Sequence, residues 1–218
     1  MKVCTDSCVL GAAAEVAGAK RILDIGAGTG LLSLMVAQRA SEAQIEAVEL
    51  DAAAAAQARE NFSASPWPER LTLFPVSLQA FGETAPAPYD VIICNPPFFQ
   101  RSLKSADAAK NQAKHTGTLS YSEIISFAQR FLTPAGKLHL LLPPHEAKVF
   151  ETEALAVGFF THTILWLEAT PQGKLLRAIH SYSRQKKIPV ENRLAVREKD
   201  GTYTQAFQEL LQEYYLIF

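Results

Sequence analysis

Asp24-Ile25-Gly26-Ala27-Gly28-Thr29-Gly30 joins a short apolar run, Arg21–Ile25, to a helix-period segment over residues 31–40. Glycines at such a junction let the backbone turn tightly between strand and helix. Outward from this turn, apolar runs keep alternating with helical segments. Residues 45–50, 71–76, 91–94 and 138–142 read as strands, and residues 52–63 as an alanine-rich helix. Ser120 followed by Glu123 reads as a capping box opening a helix over 120–132, with Pro134 and Gly136 behind it. Residues 147–157 form the next helix, ended by Gly158. This alternation predicts an α/β domain, a mostly parallel sheet with helices on both faces. Residues 160–166 and 175–182 follow with no helix between them, only the turn residues Gln172-Gly173. They predict a hairpin, hence seven strands with one antiparallel.

The 218 residues fit one domain, 1–218, with residues 188–218 as a tail whose helix, 204–214, packs back on the body. No apolar run approaches the roughly 20 residues needed to span a bilayer. The start, Met1-Lys2-Val3-Cys4-Thr5-Asp6, lacks the apolar core of a signal peptide, so the expectation is a cytoplasmic protein without membrane contact. Three cysteines, Cys4, Cys8 and Cys94, make no Cys-x-x-Cys pair, and no two histidines stand four apart. No metal is expected. Net charge is −1. Basic residues nevertheless gather locally, as Arg101, Lys104, Lys110 and Lys114 against Asp107. A second group, Arg184, Lys186, Lys187, Arg193, Arg197 and Lys199, faces only Glu191 and Glu198. These two groups are either solvated loops or grips for a polyanion.

The glycine spacing is G-x-G-x-G, and Leu31 takes the last glycine position of a dinucleotide motif. Asp24, two residues before Gly26, would repel a pyrophosphate but could accept from an ammonium. Glu49 ends the second strand, where a carboxylate takes the two hydroxyls of a ribose. A ligand with a ribose and a cation but no phosphate is described by S-adenosylmethionine, which leaves S-adenosylhomocysteine as its product. Asp24, Gly26, Gly28, Gly30 and Glu49 are its candidate residues. Ser77 and Gln79, after the third strand, are candidates for contact with its adenine.

The buried-strand pattern Tyr89-Asp90-Val91-Ile92-Ile93-Cys94 ends in Asn95-Pro96-Pro97-Phe98-Phe99. Two prolines cannot continue a ladder and make a rigid corner. An exocyclic amine on an aromatic base is a poor nucleophile, because its lone pair is delocalised into the ring. Acceptors aimed at its hydrogens draw that lone pair towards a methyl donor. The Asn95 side-chain oxygen and the Pro96 carbonyl are two such acceptors, and Phe98 can stack on the base for roughly 1–3 kcal/mol. Positioning then supplies the bulk of the catalysis, a class of effect worth about 7–11 kcal/mol. Pro97, Phe99, Arg101, Lys104 and Lys114 are candidates for holding the substrate.

Together, Asp24-x-Gly26-x-Gly28-x-Gly30 and Asn95-Pro96-Pro97-Phe98 resemble the class I methyltransferases that act on amino nitrogens. The nearest likeness is to the bacterial tRNA1(Val) adenine-37 N6-methyltransferase family. Three further stretches carry it: residues 1–6, His115-Thr116 to Tyr121-Ser122-Glu123, and the ending from Arg197 to Leu216. The resemblance implies a Rossmann-like fold and methylation of adenine N6 in a valine tRNA. It also implies a pairing of Thr5 and Asp6 with the methionine end of the cofactor. Oligomeric state stays open, with a monomer favoured. Related loops serve guanine N2 in ribosomal RNA, adenine in DNA and glutamine in release factors, so the motif alone does not separate these substrates. A binding module that holds cofactor or RNA without chemistry is the reading of another class, against which the intact Asn95 and Phe98 stand.

Overall fold

The computed structural model describes residues 4–96 and 119–218. In chain order the elements are α1 (Thr5–Ala13), β1 (Arg21–Ile25), α2 (Leu31–Arg39), β2 (Gln44–Val48), α3 (Ala52–Ala64), β3 (Leu71–Phe74), α4 (Leu78–Glu83) and β4 (Tyr89–Cys94). From residue 119 onward come α5 (Tyr121–Phe131), β5 (Leu132–Leu142), α6 (Pro144–Ala156), β6 (Phe160–Glu168), β7 (Leu175–Ser183), β8 (Val190–Ala195) and α7 (Gln205–Leu211). The strands form one sheet in the order β3-β2-β1-β4-β5-β7-β6-β8, in which β7 alone runs antiparallel to its neighbours.

Strand side chains alternate between two cores. Leu23 and Ile25 of β1, with Ile92 and Cys94 of β4, face α4, α5 and α6. Ile22, Val91 and Ile93 face α1, α2 and α7. Asp24 shares the second face with Ile22, which aims its carboxylate at α2 instead of at solvent. Local signals explain most of the helices. Asp51 caps α3 by accepting from Ala54 N at 2.8 Å, and Ala55, Ala58 and Phe62 form its buried stripe. The expected capping box opens α5: Ser120 Oγ accepts from Glu123 N at 3.3 Å, and Glu123 Oε2 accepts from Ser120 N at 2.7 Å.

Three expectations are corrected. The sheet has eight strands rather than seven, because β8 within the tail pairs in parallel with β6. Only Leu194 of its six residues is buried, so β8 shows no apolar alternation. Main-chain hydrogen bonds to an exposed edge hold it instead. Pro134 and Gly136 do not separate helix from strand, since β5 already starts at Leu132. A register shift between Tyr89↔Leu132 and Val91↔Lys137 absorbs them. The tail helix is shorter than expected, spanning Gln205–Leu211, with Thr204 as cap accepting from Phe207 N at 3.2 Å. Among the described residues no helix is long and apolar enough to cross a membrane.

Candidate active site

Parallel register assembles the site. Ile25 lies opposite Val48 on one side and Cys94 on the other, so Gly26, Glu49 and Asn95 leave the sheet next to each other. Gly26 N and Ala27 N both donate to Val48 O, at 2.8 and 3.1 Å. Gly28 N donates to Glu49 Oε2 at 2.7 Å, and Asp51 N donates to Glu49 Oε1 at 2.7 Å. Glu49 thus ties the glycine loop to the start of α3. Each of its oxygens keeps a lone pair for a further donor.

The three glycines are all left-handed, at φ 71°, 58° and 84° for Gly26, Gly28 and Gly30. Two of them serve different ends. A Cβ on Gly26 would point into open space, which suits close approach of a ligand. A Cβ on Gly30 would come within 2.4 Å of Phe62 Cε1, so this glycine exists for packing against α3. Gly30→Ala therefore combines left-handed strain of about 1–2 kcal/mol with overpacking of about 1–3 kcal/mol. At about 2–4 °C per kcal/mol for a chain of this size, calorimetry should show a fall in unfolding midpoint of about 10 °C. An unchanged midpoint would refute the packing role.

Asp24 is fully buried. Its Oδ2 accepts from Ser33 N at 3.1 Å and Ser33 Oγ at 2.7 Å, while its Oδ1 has no hydrogen-bond partner among the described residues. Burial first, and the nearby Glu49 carboxylate after it, push its pKa up to about 7 against the two Ser33 contacts. A buried, unsatisfied acceptor beside a second carboxylate and an open glycine face suits a ligand that brings a positive charge and hydroxyl donors. At the neighbouring corner, Asn95 Nδ2 donates to Ser7 Oγ at 2.7 Å, and Asn95 Oδ1 is buried without a partner among the described residues. Pro96 is buried.

The other candidates distribute as follows. Thr5 and Asp6 open α1, and Asp6 Oδ2 forms an ion pair with Arg177 Nε of β7 at 3.0 Å. The hydroxyl of Ser77 caps α4, accepting from Ala80 N at 3.1 Å, and Gln79 reaches to Glu123 instead of the glycine loop. Pro97, Phe98, Phe99, Arg101, Lys104 and Lys114 lie outside the described residues.

The basic tail is divided by topology. Because β7 is antiparallel, it carries the chain through nine residues to the opposite edge, about 30 Å away. Arg184, Lys186 and Lys187 follow it there. β8 then returns, so Arg197 and Lys199 share the edge that bears Asn95, four strands or about 19 Å across. Arg197 Nη1 donates to Gly201 O at 2.6 Å and its guanidinium lies 4.2 Å from the Tyr203 ring centroid. Arg193 pairs with the buried Glu168.

Three residues of the site went unnoticed in the sequence. Asn61 Nδ2 donates to Thr29 O at 2.8 Å and steadies the loop. Ser33 stood alone in the apolar stretch Leu31–Ala37 of α2, as Asp24 did in the apolar run Ile22–Ile25 of β1. Two solitary polar residues in buried elements need each other, which is a signal that could have found Ser33. Ser7 carries no comparable mark.

The profile of the Methyltransferase small domain family matches residues 5–151. A tRNA1(Val) (adenine(37)-N6)-methyltransferase of Dyadobacter fermentans is 46% identical over 100% of this chain and 92% of its own. A protein of the same name from Tolumonas auensis is 45% identical, over 99% of this chain and 90% of its own. Among solved structures, a predicted O-methyltransferase from Agrobacterium tumefaciens superposes with a TM-score of 0.70 at 18% identity, covering 95% of this chain and 96% of that one. This last likeness is one of fold. Full-length identity at this level, together with the domain match, establishes that the chain belongs to the tRNA1(Val) (adenine(37)-N6)-methyltransferase family, built on a methyltransferase small domain.

Proposed function

We propose that this protein transfers a methyl group from S-adenosylmethionine to the exocyclic N6 amine of adenine 37 in a valine tRNA. The observation that carries the reading is the buried Oδ1 of Asn95, unpartnered among the described residues and one residue beyond the strand position that faces Ile25 and the glycine loop. Family membership supports the substrate class. The residues that fit the cofactor are Asp24 for its ammonium, Glu49 for its ribose hydroxyls and Gly26 for close backbone approach. When bound, the cofactor supplies an electrophilic methyl on a sulfonium.

The chain's own part is to hold the amine. Asn95 Oδ1 accepts one amine hydrogen and the Pro96 carbonyl the other, which localises the nitrogen lone pair and directs it at the methyl. Transfer would form the N–C bond as the S–C bond of the methyl breaks, leaving S-adenosylhomocysteine, and the cationic amine would give its extra proton to water without a dedicated base. Phe98 stacks on the adenine, which leaves its place in the anticodon loop at a cost of a few kcal/mol. Residues 1–218 act as one domain, a monomer in this reading, working in the cytoplasm on transcribed tRNA. Tritiated S-adenosylmethionine incubated with bulk tRNA should label it, with the label recovered as N6-methyladenosine by nucleoside mass spectrometry. Label in protein, DNA or ribosomal RNA but not in tRNA would end the proposal.

A further inference from the structure

We propose that Ser7 is a positioning residue that sets which end of the Asn95 amide faces the target amine, an inference that rests on reading Asn95 as the acceptor for that amine. An amide side chain offers an acceptor at one end and two donors at the other, with nearly the same shape. Turned one way, Asn95 draws an amine hydrogen towards oxygen. Turned the other way, donor meets donor and the amine is repelled. The backbone at the end of β4 and the following Pro96 fix where the amide sits but leave this half-turn undecided. Hydrogen-bond partners must decide it.

Ser7 is that partner: Asn95 Nδ2 donates to Ser7 Oγ at 2.7 Å across 88 positions of sequence. Ser7 is itself buried, and Cys4 Sγ lies 3.0 Å from the same oxygen. While Ser7 Oγ accepts from Nδ2, its single hydrogen is free to point at the sulfur. After a half-turn the Ser7 hydroxyl could donate to Oδ1 instead, but Nδ2 would then lie buried where Oδ1 now lies, with no acceptor among the described residues, and an orphaned donor is tolerated less than an orphaned oxygen. The observed arrangement satisfies the donor end and leaves the acceptor end vacant, which is the orientation that the chemistry requires.

The platform that holds Ser7 is rigid. The Asp6–Arg177 ion pair ties the first turn of α1 to β7. At the other end, Arg39 Nη1 donates to Gly11 O and Ala14 O, each at 2.9 Å. Between them, a Cβ on Gly11 would come within 2.7 Å of Met35 Sδ, so α1 lies close against α2. Such anchoring is of the kind needed to hold a site group to within fractions of an ångström.

A mutant cycle tests this. Ser7→Ala should slow single-turnover methyl transfer about tenfold, the worth of one ordinary hydrogen bond. Affinity for S-adenosylmethionine and affinity for tRNA should stay as they were, and the unfolding midpoint should fall by no more than a few degrees, the worth of one buried hydrogen bond. Ser7→Thr, which keeps the hydroxyl, should restore most of the rate. In an Asn95→Ala background Ser7→Ala should cost nothing further, because the group it orients is gone. Wild-type rates in Ser7→Ala, equal losses in the alanine and threonine variants, or losses that multiply in the double variant would each overturn the role of Ser7. Full activity of Asn95→Ala alone would instead overturn the reading of Asn95, so the two failures are distinguishable.

Discussion

Asn95→Ala is expected to lower methyl transfer to tRNA by about a hundred- to a thousandfold and to leave cofactor affinity unchanged. The magnitude is that of removing one preorganised hydrogen-bonding group from a site where charge is redistributed in the transition state. The selectivity of the effect follows from placement. Asn95 leaves the sheet from β4, whereas Asp24 and the glycine loop belong to β1, and no hydrogen bond joins the Asn95 amide to Asp24, the glycine loop or Glu49. Truncation also strands little among the described residues: Ser7 retains Cys4 Sγ as a neighbour, and the vacated Oδ1 had no partner there. The unfolding midpoint should therefore shift by only a few degrees. Single-turnover kinetics with isotopic methyl donor, beside calorimetric titration of the cofactor, measure both quantities. A variant that retains the rate would remove the acceptor from the mechanism.

Asp24→Asn should weaken binding of S-adenosylmethionine about ten- to a hundredfold, the usual worth of a hydrogen bond between charged groups, without lowering stability. The buried carboxyl has its pKa raised to about 7 in the fold, chiefly by desolvation, from an ordinary value of 3.8. Between those two values the folded protein holds a proton that the unfolded chain has released, so stability declines as pH rises through this window. Above it, the ligand-free protein carries the full cost of the buried charge, about 4 kcal/mol. The asparagine removes that cost while keeping an acceptor for Ser33. Its unfolding midpoint at pH 8 should accordingly be equal to or higher than that of the unsubstituted protein.

Binding should mirror this titration. Between pH 7.5 and pH 6 a protonated Asp24 must ionise before it can meet an ammonium, so the affinity of the native protein drops roughly tenfold. In Asp24→Asn the profile is flat over the same interval. A native profile without slope would mean that Asp24 does not face the cation. Its burial against Ser33 would then be a matter of stability alone.

Much of this architecture was legible because its causes are local or periodic. The strand at Arg21–Ile25, the glycine turn and the Ser120–Glu123 capping box announce themselves within a few residues. The three carboxyl-edge positions, Gly26, Glu49 and Asn95, each end a recognisable buried strand. Elements without such marks were not legible. Helix α1 buries six consecutive residues, Ser7 to Ala12, so no apolar stripe betrays it. Helix α4 has only six residues. Strand β8 is charged and exposed, and exists because β6 presents a free edge.

The amino-acid sequence by itself determined the α/β class, the left-handed glycine loop and the residue types at the strand ends, since each depends on near neighbours and on hydrophobic period. Only the tertiary structure decided how those ends are used. It paired Asp24 with Ser33, gave Gly30 to Phe62 and Glu49 to the Gly28 amide, and brought Ser7 to Asn95. It also sent Lys186 and Lys187 to the edge away from the site, because the direction of β7 is a property of the assembled sheet. Contacts across 88 positions arise from packing, and packing has no local signature for a sequence to display.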